Sequence, residues 1–155
     1  MKMELSLLNC FWLILPLLVW NLIPGLRIND PRVTSDAHSP QWLLIAENVF
    51  RILVFALPVL IPLPHGVDWL STLPQAGMAV YILGTLLYFC SWLPLLLAPA
   101  TTWSNTPAGL LAPRLTPYLS FLGIALLGGS LLYGGISAVF IFFHTWHGIQ
   151  NLQSN

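Results

Sequence analysis

Four long apolar stretches, separated by polar connections rich in proline, organise this chain. The first runs from about residue 5 to 23 without a charge, and the second from about 42 to 63. The third covers about 78 to 98 and the fourth about 118 to 143, both uncharged. A hydrocarbon layer of ~30 Å asks for roughly 20 apolar residues in a helix, and all four stretches approach or exceed that. Strands that cross a membrane alternate apolar and polar positions over ~10 residues, and no stretch does so. The pattern predicts an all-α integral membrane protein, a single domain over residues 1–155 with four transmembrane helices in a small bundle.

Lys2 ahead of the first stretch raises the alternative of a secretory signal. The apolar run is longer than an ordinary signal core, and no small-residue cleavage pattern follows it. A helix of the mature fold is therefore expected there. Proline at positions 16, 58 and 94 lies inside three different stretches, and each removes a backbone hydrogen bond and tends to kink its helix.

Composition narrows the class. Of 155 residues, 57% are hydrophobic and 6% charged, with a mean hydropathy of +0.80. Soluble domains carry roughly a quarter charged residues, so a soluble reading fails. Five Lys and Arg balance five Asp and Glu, which leaves no basic footprint for nucleic acid. The expected partner is the lipid bilayer, joined by a second copy of the chain or another membrane subunit. Cys10 and Cys90 both fall inside apolar stretches, where a thiol behaves as a small apolar group, and no disulfide between them is expected.

Charge placement orients the spans. Arg27, Arg32 and Arg114 fall in connections on one side, and Lys2 is the basic residue of the other. Basic residues collect on the cytoplasmic side, which predicts a multi-pass protein of the bacterial inner membrane with both termini outside. The connection from Thr101 to Pro117 carries Trp103, Leu110 and Leu111 with a single charge. Thr106-Pro107 suits an N-cap followed by a first helical residue, so this stretch is either a short helix in the interface or a proline-stiffened loop.

Helices in lipid associate through close approach at small residues. Gly77, Gly84, Ser91 and Ala98 recur at seven-residue steps, and Ser130, Gly134 and Ala138 at four-residue steps. Both sets form narrow small-residue faces suited to helix packing.

Two groups of polar residues stand out as candidate chemistry. Glu47, Asn48 and Arg51 interrupt the second stretch, and Asn21 at the inner end of the first reaches toward the same layer. A charge at such depth costs about 2.5–3.5 kcal/mol on insertion scales, so these side chains are expected to face the bundle interior. They form either a binding site for an anionic or zwitterionic group, or an ion pair that fixes helix rotation. The second group lies at the opposite, outer end: His65, Asp68, His144 and His147. Imidazole and carboxylate together suit a transition metal, and facing imidazoles suit haem; ordinary interfacial histidine is the alternative, and no cofactor is the default expectation.

The chain has no phosphate-binding glycine loop, no G-x-S-x-G, no H-E-x-x-H and no C-x-x-C, which leans away from an enzyme. The reading that remains is a binding, accessory or transport-type component built around the Glu47/Arg51 site. A redox or metal-binding subunit using the histidines is the first rival, and a purely structural subunit of a larger complex the second.

Overall fold

The computed structural model describes residues 9–28, 39–63, 72–99 and 101–153. These form helices α1 (Phe11–Arg27), α2 (Gln41–Ala56), α3 (Thr72–Leu97), α4 (Pro107–Leu115), α5 (Pro117–Leu127) and α6 (Leu131–Gln153). A short 3-10 turn, Leu57–Leu60, extends α2, and another, Trp103–Asn105, precedes α4. Among the described residues, three segments are long and apolar enough to cross a membrane: Gln41–Leu60, Leu73–Leu97 and Pro107–Leu127. The first helix is apolar but shorter. It begins at Phe11 and runs through Pro24 to Arg27, where the sequence pattern places its end at residue 23.

The largest departure from the sequence pattern lies in the stretch 118–143, read above as one span. It is two helices. The break falls at Gly128-Gly129-Ser130, where Gly129 takes the left-handed conformation with φ of +57°, a region open to glycine at little cost. Ser130 restarts the helix: its hydroxyl accepts the backbone N–H of Tyr133 at 3.2 Å, an N-cap that satisfies one orphan donor. The chain therefore reverses, and α6 runs back alongside α2. An unbroken apolar run conceals such a hairpin, because hydropathy registers burial but not direction.

Antiparallel pairing of α3 with α5 forms the tightest seam. A Cβ added at Gly77 would lie 2.8 Å from the Leu127 backbone nitrogen, and one at Gly84 would lie 2.5 Å from that of Ser120. Ser91 Oγ then meets Thr116 Oγ1 at 3.1 Å. Gly77 and Gly84 of the stripe thus abut α5 backbone, with Gly123 of α5 set against Tyr81 in return. Ala98 closes the stripe differently, its carbonyl accepting from Ser104 Oγ at 2.8 Å. The second set is less uniform. Ser130 serves as the cap, Gly134 leaves Ala125 at ordinary contact distance, and Ala138 is exposed.

Helix α1 lies parallel to α3, tied by Tyr81 donating to the Leu13 carbonyl at 2.8 Å and by the stacked rings of Trp20 and Phe89, 4.6 Å apart. Near its start, Cys10 N–H donates to the Ile61 carbonyl at 2.8 Å, which joins it to the far end of α2. Cys10 and Cys90 are free thiols.

Thr106 caps α4, its Oγ1 accepting from Gly109 N at 3.0 Å. That helix leads through Thr116 directly into α5, so of the two alternatives for the stretch from Thr101 to Pro117 a short helix capped by Thr106 is the one that forms. Asn9 pairs with Pro62 beyond the end of α2, whereas Trp42 at the start of α2 packs on Trp146 of α6. The described ends of the chain consequently lie at opposite ends of the bundle, and the expectation that both termini share one side does not hold for them.

Candidate functional site

Reversal at Gly129 carries the end of α6 to the beginning of α2, and this merges residues that the sequence pattern assigns to opposite faces. Glu47 lies roughly 7–8 Å and Arg51 roughly 13 Å along α2 from Trp42, at 1.5 Å per residue. His144 and His147, three apart on α6, present one face to them.

Glu47 is 2% exposed and is bonded from three directions. His144 Nδ1 approaches Oε1 at 2.9 Å, and His147 Nδ1 approaches Oε2 at 2.7 Å. Arg51, one turn further along α2, completes an ion pair with Oε1. An ionised carboxylate only accepts, so each imidazole donates from Nδ1. That sets Nε2 of a neutral ring as the acceptor nitrogen. A buried carboxylate is tolerable only when paired and hydrogen-bonded, and this one satisfies both conditions.

Rings guard the cluster on either side. His144 stacks on Phe140 at 5.3 Å and 15°. Phe50 stacks on Phe143 at 5.7 Å, and Trp42 meets Trp146 edge-on at 5.5 Å. Two of these pairs, Phe50–Phe143 and Trp42–Trp146, join α2 to α6 on either side of the polar cluster.

Arg114 is the residue the sequence reading missed. Read as a loop charge useful only for orientation, it is 7% exposed and donates from a guanidinium nitrogen to the His144 carbonyl at 3.2 Å. Gly148 supplies the slot: a Cβ there would come within 2.6 Å of Arg114 Cδ. No local pattern signals this, because Arg114 and Gly148 come from helices that only the tertiary fold brings together.

Arg51, Arg114 and His144 line a cavity of about 420 Å³ together with Asn21, Tyr88 and apolar side chains of α1, α2, α5 and α6. Tyr88 donates to the Asn21 side-chain carbonyl, so the described partner of Asn21 is on α3, and Asn21 lines the cavity with Arg51 and His144. Asn48 is exposed and lies outside the cluster: the next position on a helix turns by about 100°, so it leaves the inward face that Glu47 occupies.

His65 and Asp68 lie outside the described residues. His144 and His147 spend Nδ1 on Glu47, and among the described residues no group of three or more His, Cys, Asp and Glu side chains is arranged to hold a metal ion. No family model matches this chain, and neither a curated protein nor a solved structure is significantly similar to it.

Proposed function

We propose that this chain is a small binding or transport-type membrane component whose working part is the Glu47–Arg51–His144–His147–Arg114 cluster and the cavity it borders. The observation that carries the reading is the junction of a hydrogen-bonded charge cluster with open volume inside an otherwise apolar bundle. An ion pair that merely fixed helix rotation would need no cavity beside it; here Arg51 and His144 take part in the cluster and also line the space.

A membrane placement is proposed with it. Arg27, Arg114 and the end of α6 lie toward one end, which the distribution of basic residues assigns to the cytoplasm. In a bacterial inner membrane the Asn9 end would then face outward and the Gln153 end inward.

The test is native mass spectrometry on protein purified in mild detergent, comparing wild type with Leu22→Trp. Leu22 lines the cavity yet is 64% exposed, so a larger ring there blocks the opening without entering the packed core. Wild type is expected to retain a small molecule that the folded variant lacks. Folded wild type that carries nothing would leave the cluster a structural role only.

A further inference from the structure

We infer that the ligand of this cavity is a neutral aromatic amphiphile with a phenolic hydroxyl, the chemistry of a lipid-soluble quinol. Its hydroxyl donates to His144 and its tail leaves past Leu22; this rests on the cavity being a binding site.

Hydrogen-bonding capacity is the first argument. His144 lines the cavity and spends Nδ1 on Glu47, so Nε2, on the far edge of the neutral ring, is left to accept a proton donor. No described residue supplies one. Arg51 lines the same space and, like His144, bonds to Glu47 Oε1, which sets the two side chains next to each other. One guanidinium nitrogen serves that bond, and the group has further N–H donors. A hydroxyl donates and accepts at once, so a single such group answers both Nε2 and Arg51. Glu47 behind the imidazole strengthens the bond to Nε2, because a carboxylate on Nδ1 raises the basicity of the ring.

Charge is the second. An anionic head has no proton to give Nε2, and at Arg51 it would lie beside the carboxylate already paired there. A cationic head would meet the guanidinium. A neutral hydroxyl meets neither cost.

Shape is the third. Phe55, Tyr88, Trp92, Phe121 and Phe140 bring rings to the wall from four helices, and aromatic faces and edges favour a flat ring between them. The volume of about 420 Å³ falls in the range of about 300–1,000 Å³ typical of small-molecule sites. It holds an aromatic head, and a long tail must pass out. An exit exists where α1 and α2 are not pinned. They are hydrogen-bonded at the Asn9–Pro62 end, while Leu22 lies toward the other end. A tail leaving there enters the lipid layer directly.

The experiment measures retention of four probes by wild type, His144→Phe and Leu22→Trp in mild detergent without oxygen, again by native mass spectrometry. The probes are decylhydroquinone, its dimethyl ether, oleic acid and dioleoylglycerol. Wild type is expected to hold decylhydroquinone in preference to the other three. The dimethyl ether should bind about ten-fold or more weakly, since it leaves a buried acceptor unmet. Folded His144→Phe should no longer tell the two apart, and Leu22→Trp should hold none of the probes. The ether comparison needs only wild type, so it decides the role of the hydroxyl whether or not His144→Phe folds. Equal retention of the ether would overturn the hydroxyl bond to His144. Oleic acid held as tightly as decylhydroquinone would overturn the neutral class, and dioleoylglycerol held as tightly would overturn the aromatic head; either result, if lost in Leu22→Trp, leaves the binding site standing. Undiminished retention of decylhydroquinone by Leu22→Trp would overturn the exit. Failure of wild type to hold any probe or co-purified molecule would overturn the binding reading itself.

Discussion

His144 and Glu47 stand 97 residues apart in the chain and 2.9 Å apart in the structure. Their meeting joins the last helix to the second and converts two separate polar features into one site. The contact depends on the reversal at Gly129, since a continuous helix from 118 to 143 would carry His144 to the other end of the bundle.

Substitution at Glu47 should therefore cost more than substitution at Arg51. Glu47→Gln removes the charge that two imidazoles and a guanidinium share, and breaking a buried pair costs about 3–5 kcal/mol. Arg51→Leu leaves both histidine bonds in place and removes a partner that is itself 43% exposed, so its loss is expected to be the smaller of the two. Equilibrium unfolding of both variants in mixed detergent micelles checks the order; equal losses would mean that the histidines contribute nothing to Glu47.

Gly148→Ala should drive Arg114 from its slot. The Cβ would press on Arg114 Cδ and Nε, at 2.6 and 2.8 Å, and overpacking of this kind costs about 1–3 kcal/mol. In an Arg114→Ala background the same substitution should be nearly neutral. The double-mutant cycle reads the coupling, and additive losses would show that the two residues do not touch.

Glycines of the bundle should differ sharply in their tolerance. Gly84→Ala sets a methyl 2.5 Å from the Ser120 backbone nitrogen, and backbone cannot swing aside, so the α3–α5 seam must open. Gly135→Ala meets nothing within 4 Å and gains helix propensity worth up to about 1 kcal/mol. Thermal unfolding should show a clear fall for the first and no fall for the second.

Much of the architecture was legible in local pattern. Helix character, the small-residue stripe on α3 and the Thr106 cap all follow from spacing within one segment. The depth of Glu47 and Arg51 was legible too, since a charge in an apolar run must find a partner. What local pattern could not carry was connectivity. Gly128-Gly129-Ser130 sits in an apolar run where glycine is common, so a reversal there looks like a packing face. Once the reversal is missed, the histidines fall on the wrong end, Arg114 becomes a loop charge and Gly148 has no evident purpose.

Topology offers an independent check of that reversal. A reporter fused after Gln153 should register the cytoplasm, and one placed before Asn9 the outside. A carboxyl-terminal reporter on the outer side would contradict a chain that turns back at Gly129 with Arg27 and Arg114 at the inner end.

The central claim, that Glu47 organises α2 and α6 through both histidines, is read most directly by ¹⁵N NMR of histidine-labelled protein in a membrane mimetic. The account predicts Nδ1-protonated, hydrogen-bonded rings for His144 and His147, with both sets of resonances displaced in Glu47→Gln. Rings protonated at Nε2 alone, and indifferent to Glu47→Gln, would contradict it.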